Sequence, residues 1–188
     1  MSARRSWRLP ALLAFGVATG MGCGGGSTEA ASPAASLPPY TPEVAVLFDD
    51  VLAPATFGFD TEGRNPARDP KLRERTRQAE FIVPARVETV SRVGGVEHRG
   101  AYEITLVASG PPLVGETKGT PLVLNVPATS PSYTWVDGAG ARWVGSRLLL
   151  FARHYNDAGA AALHFRCEPD TPEVRASVQR DAGLRLLR

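Results

Sequence analysis

AEFIVPARVETVSRVGGVEHRGAYEITLVASG, residues 79–110, alternates apolar and polar side chains on both sides of a glycine pair. Phe81, Val83, Ala85 and Val87 point one way, Arg86 and Glu88 the other, and Tyr102, Ile104, Leu106 and Ala108 repeat the pattern. A period of two is that of a strand with one buried face. Gly94-Gly95 supplies the positive backbone angles a tight hairpin turn needs, so the stretch predicts two paired antiparallel strands. Working outward, Leu122 to Val126, Ser146 to Tyr155 and Ala161 to Cys167 read as three more, the last two joined by Asn156-Asp157-Ala158-Gly159.

Helices are expected around these strands. Thr41-Pro42-Glu43-Val44 has a capping Thr, a Pro suited to the first helical position and an acid at the positive end of the helix dipole. Val44, Leu47, Phe48, Val51 and Leu52 then form an apolar stripe that runs toward Pro54. Asp69-Pro70 caps a short helix over KLRERTRQA, and Thr171-Pro172-Glu173-Val174 opens a last one that reaches about Leu186. The segment from Pro127 to Arg142, rich in Pro, Gly and Ser, reads as a surface loop. In it Trp135 and Trp143 flank Asp137 to Gly140 as if paired across a hairpin. The expected class is mainly β with flanking helices (α+β), built on a small five-stranded antiparallel barrel.

The strand order resembles the OB-like domains of the netrin and tissue-inhibitor-of-metalloproteinases type. AEFIVPARVETV, AYEITLVASG and WVGSRLLLFARHY carry the likeness, which covers about residues 79 to 167 and extends to bacterial lipoproteins of the same layout. It implies an OB-like barrel and admits an inhibitor-like secreted module.

The N-terminus addresses location. Arg4, Arg5 and Arg8 precede an apolar run from Leu9 to Ala18, the layout of a signal peptide over residues 1–22. About ten apolar residues fall short of the roughly 20 that span a bilayer. GMGCGGGSTEAASPAASLPPY, residues 20–40, then sets Cys23 behind small residues and ahead of a Gly/Ser/Ala/Pro-rich spacer. Gly20-Met21-Gly22-Cys23 resembles a bacterial lipobox, where the thiol receives a diacylglyceryl group. Ala18-Thr19-Gly20 alternatively fits ordinary signal cleavage, which releases a soluble product. On the first reading residues 23–40 are lipid anchor and linker, residues 41–188 one globular domain, and the destination the cell envelope, with Gly24 favouring the outer membrane.

Removing three arginines with the leader from the 21 bases leaves 18 against 19 acids, so the pI of 8.7 belongs largely to the leader and nucleic acid is not an expected partner. Cys167 is the other cysteine: it is a free thiol if Cys23 is acylated and a disulfide partner if not. On the expected hairpin it faces the core beside Leu148, Leu150 and Ala152. His154 and His164 fall on opposite sides of the sheet and read as surface residues, as does His98 in the Gly-rich hairpin. A zinc-dependent hydrolase would draw on His154, His164 and Asp157, and nothing requires a metal or cofactor. Asp49-Asp50 reads as helix surface, and Asp60-Thr61-Glu62-Gly63 as a turn. The basic run RNPARDPKLRERTR, residues 64–77, reads as a solvated helix face. Tyr133, Trp135 and Trp143 are the candidate binding surface for an envelope protein or glycan, with Trp143 expected to pack and Tyr133 to be exposed. No catalytic residue is assigned, and the expected role is non-catalytic binding or assembly.

Cys23→Ser is expected to abolish metabolic labelling by a fatty-acid probe, while the wild-type mature chain begins at an acylated Cys23. A mature chain beginning at Met21 by mass spectrometry is the opposite result and refutes the lipid anchor.

Overall fold

The computed structural model describes residues 33–52, 54–57, 65–94, 100–117, 119 and 121–185. The readings of the leader, of Cys23, of His98 and of residues 60–64 lie outside these. Five antiparallel strands make the sheet: β1 (Phe81–Val93), β2 (Ala101–Ala108), β3 (Leu122–Val126), β4 (Arg147–Asp157) and β5 (Ala160–Pro169). Their order is β3-β2-β1-β4-β5. Among the described residues four α-helices flank them: α1 (Pro42–Ala45), α2 (Pro70–Gln78), α3 (Tyr133–Trp143) and α4 (Pro172–Arg185). The chain is mainly β with flanking helices, as the alternation indicates. The barrel is a loose one, because β3 and β5 are not paired among the described residues and the sheet stays open.

Alternation divides the apolar side chains between two cores. On one face Phe81, Val83, Ala85 and Val87 of β1 join Ile104, Leu106, Leu124, Val126, Leu148, Leu150, Ala152, Phe165 and Cys167, so all five strands contribute. On the other, Ile82, Leu149, Phe151 and Tyr155 pack with Leu47, Phe48 and Leu72 and with Val174 and Val178 of α4. A bulge between Val87 and Thr89 adds one residue to β1, which keeps Val90 opposite Ile104 and on the first face.

The β4–β5 hairpin is tighter than the four-residue turn read from the sequence. Asp157 pairs with Ala160, leaving Ala158 and Gly159 as the turn with φ of 50° and 90°, the two positive angles of a type I′ hairpin. The register is displaced by two residues, so every side chain keeps its expected face. Cys167 lies opposite Leu150 rather than Leu148, in the core.

Three expectations need correction. The helix opened by Thr41 ends at Ala45, well short of Leu52. Its apolar stripe is divided instead, Leu47 and Phe48 entering one core and Leu52 the other. The spacer also ends earlier than Tyr40. Pro33–Ser36 forms a 3-10 turn with Ala34 buried, Pro38 O accepts from Asn156 N at 2.8 Å, and Tyr40 N donates to Asn156 O at 3.0 Å.

Finally, the expected loop at 127–142 contains α3. Its two interior glycines disfavour a helix, but tertiary contact outweighs the propensity. A Cβ on Gly140 would stand 2.9 Å from Val90 Cγ1, so the absent side chain lets α3 lie close on β1. Trp135 and Trp143 therefore do not pair across a hairpin. Trp143 is 4% exposed and stacks on Phe57 at 4.3 Å. Tyr133, expected in solvent, is 8% exposed and meets Tyr102 at 5.3 Å, because it opens the first turn of α3 on its inner face.

Trp143→Ala is expected to cost about 3–5 kcal/mol, whereas Trp135→Ala stays within about 0.5 kcal/mol. Urea denaturation of the two variants checks this; equal losses would contradict the described placement of α3.

Candidate functional site

The chain from Tyr40 to Leu52 crosses the free edge of β5, passing from the core on one face of the sheet to the core on the other. Asp50 makes the crossing at φ 54°, a left-handed conformation that Asp tolerates better than most side chains. Its amide donates to Phe165 O at 3.0 Å, and its Oδ1 accepts from Phe165 N at 2.8 Å. Thr56 Oγ1 donates to Cys167 O further along at 3.0 Å. These bonds occupy backbone groups that an edge strand otherwise leaves open to other chains.

Beneath this arm lies a strip of charge. His164, Arg166 and Glu168 alternate along β5 on the side away from Cys167, and each meets a partner from another segment. Asp50 Oδ2 lies 2.7 Å from His164 Nδ1, and Asp49 Oδ2 lies 2.7 Å from Arg166 Nη1. Glu168 Oε1 lies 2.5 Å from Arg75 Nη1 of α2, whose Nε donates to Leu47 O at 2.7 Å. Arg166 Nε reaches Glu168 at 3.7 Å, which joins the Arg166 and Arg75 pairs, while the His164–Asp50 pair stands next to them along the strand. Tyr40 covers His164 with its ring, centroids 3.5 Å apart and planes 5° from parallel, while its hydroxyl donates to Phe48 O.

Burial sets the electrostatics. It raises the Asp50 carboxyl above its ordinary value, against the bonds from Phe165 and His164 that lower it. It lowers the Arg75 guanidinium, with Glu168 opposing. For Arg166 burial works against the charge, yet Asp49 beside it leaves a net upward shift. The Tyr40 phenol is pushed up to about 12 by burial and then by Asp50. Burial likewise drives the Cys167 thiol far above its ordinary range, so it is inert at neutral pH.

These positions revise several residues read from sequence. Asp49 and Asp50 are ion-pair partners of an edge strand rather than helix surface. His164, expected at the surface, is 7% exposed, because the arm folds over it. In the basic run, Arg75 is buried and Arg77 half-buried, while Arg68, Lys71 and Arg73 are solvated as expected. His154 is exposed on the opposite face, with Nδ1 2.9 Å from Glu80 Oε2. His154 and His164 are thus not brought together. Among the described residues no three His, Cys, Asp or Glu side chains are grouped to hold a metal ion, and no helix is long and apolar enough to cross a membrane. Of the three aromatic candidates, Tyr133 and Trp143 are buried and Trp135, 54% exposed, stands on the outside of α3.

The ionic strip escaped sequence reasoning, since its partners are separated by as many as 117 residues. The legible signal was three polar residues alternating on a strand whose other face is apolar. No family model, no curated protein and no solved structure matches this chain.

Arg75→Ala is expected to destabilise the domain by about 3–5 kcal/mol by removing the nearest buried counter-charge of Glu168. Arg75→Met with Glu168→Met together is expected to cost much less than the sum of the two single variants. Additive losses in a denaturant-based double-mutant cycle would contradict the coupling.

Proposed function

We propose that the chain is a lipid-anchored protein of the bacterial cell envelope, tethered through Cys23, with a non-catalytic role in binding or assembly. The observation that carries the non-catalytic part is the engagement of its titratable groups. Beneath the arm His164 is paired with Asp50, and Asp49, Arg166, Glu168 and Arg75 are linked in a row, and His164 Nε2 is shielded from solvent. A histidine acting as general base must reach the proton it removes. His154 and His164, which a zinc hydrolase would recruit, stand on opposite faces, His154 beside Glu80 and His164 between Asp50 and Asp157.

The anchoring part rests on the basic leader, its short apolar run and the lipobox-like residues before Cys23. Two or three acyl chains hold a protein stably where one is marginal. Trp135 is then the candidate contact for an envelope protein or glycan. A large exposed ring on a helix fixed to the sheet loses little entropy on binding, and Tyr102 Oη to Asp137 Oδ1 at 2.5 Å ties the same helix to β2. The likeness to OB-like domains agrees with the strand order, in which pairing β3 with β5 would close a five-stranded barrel.

Envelope fractionation of cells expressing wild type, Cys23→Ser and Trp135→Ala tests the proposal. The expected result is wild type in the membrane fraction, Cys23→Ser in the soluble one, and Trp135→Ala anchored but at least tenfold weaker in cross-linking to its envelope partner. Stoichiometric zinc in the purified protein, lost on His164→Ala, would overturn the non-catalytic reading.

A further inference from the structure

An unused feature of the ionic strip is the second nitrogen of His164. Asp50 offers carboxylate oxygens as acceptors, Oδ1 to the Phe165 amide and Oδ2 to the ring. The Nδ1 position of His164 therefore carries the hydrogen. In the neutral ring Nε2 is then a bare lone pair. It is buried, has no hydrogen-bond partner among the described residues, and lies 3.7 Å from Asp157 Oδ2. Lone pair and carboxylate repel each other there; one proton on Nε2 makes the same contact an attractive one.

The groups around the ring decide what that proton does. From the arm come the Tyr40 ring, Asp50 and, one residue away, Asp49, which is paired with Arg166. From β4 come Arg153, directly across the ladder, Tyr155 at 6.0 Å between centroids, and Asp157 at the turn. Arg153 is the cation that opposes a charge on the ring, and its Nη1 is bonded to Gln78 O at 2.9 Å. Along β5 the same face continues to Arg166 and Glu168, the latter held by Arg75 of α2. The two carboxylates in contact with the ring, Asp50 and Asp157, sit on its opposite nitrogens.

We propose that His164 is a proton-operated clasp for the arm: protonation of Nε2 bridges Asp50 of the arm to Asp157 of the β4–β5 turn and tightens the arm, with Pro38 and Pro39 just before it, against the sheet. The arm directly follows the turn at Pro33–Ser36 on the Cys23 side of the domain, so, on the proposed anchoring, the clasp lets the acidity of the compartment set how firmly this side of the chain is docked. The sign follows from linkage. Stabilisation that depends on a protonated ring is present at low pH and lost as pH rises. The comparison is made at pH 5.5 and pH 8, on the two sides of the ordinary imidazole range.

Amide hydrogen exchange of the full chain, corrected for the intrinsic dependence of exchange on pH, reads the docking directly. Tyr40 N–H and Asn156 N–H bond the arm to β4, and Phe165 N–H bonds to Asp50. Their protection is expected to be about three- to tenfold greater at pH 5.5 than at pH 8, a range that allows for Asp157 being half-exposed. The β1 amides are expected to show no such change. Asp157→Asn, at an exposed turn, should flatten the dependence without unfolding the domain, and His164→Gln should remove it. Equal arm protection at the two pH values in the wild type, or a full wild-type dependence retained in Asp157→Asn, overturns the clasp.

Discussion

Asp50 holds the arm to the free edge of β5, and the placement of both cores depends on that crossing. Its backbone amide and side chain close a ring of hydrogen bonds with Phe165, and its second oxygen fixes His164. Upstream of it Phe48 is delivered to one core, and downstream Leu52 to the other. A continued helix would carry the whole stripe past one face. The left-handed turn at Asp50 allows one short segment to seal both sides and protect the edge between them.

The same crossing explains why charge is buried here. Side chains on the outer half of β5 cannot all be apolar if the arm is to be held by directional bonds, and a polar row needs partners once covered. Asp49, Asp50 and Arg75 supply them, from segments with no sequence relation to β5. Such pairs contribute little net stability compared with an apolar replacement, yet they penalise misplacement strongly. Their effect is to specify where the arm sits. Leu52 adds a further tie, since its amide donates to Ser132 Oγ at 2.7 Å at the start of α3.

Much of the fold was legible in local pattern. The alternation in Phe81 to Val87 and Tyr102 to Ala108 specified strands with one buried face, and Asp69-Pro70 specified a helix start whose cap bonds reach Lys71 and Leu72. Cys167 could be assigned to the core because a two-residue error in hairpin register leaves side-chain faces unchanged. By contrast α3 was misread. Its Pro, Gly and Ser content describes the isolated chain, whereas Gly140 is needed for contact with Val90 of a distant strand.

The candidate site divides along the same line. Sequence by itself determined five strands, the helix starts at Pro42, Pro70 and Pro172, and the separation of His154 from His164, because periodicity and capping act over a few residues. Only the tertiary structure decided that the helix begun at Pro42 stops at Ala45, that Tyr133 is buried while Trp135 is not, and that Asp49, Asp50 and Arg75 meet the charged row of His164, Arg166 and Glu168. Those outcomes depend on which surfaces meet across more than a hundred residues of chain. Burial then fixes the partner a charge must have, and no local pattern carries that information.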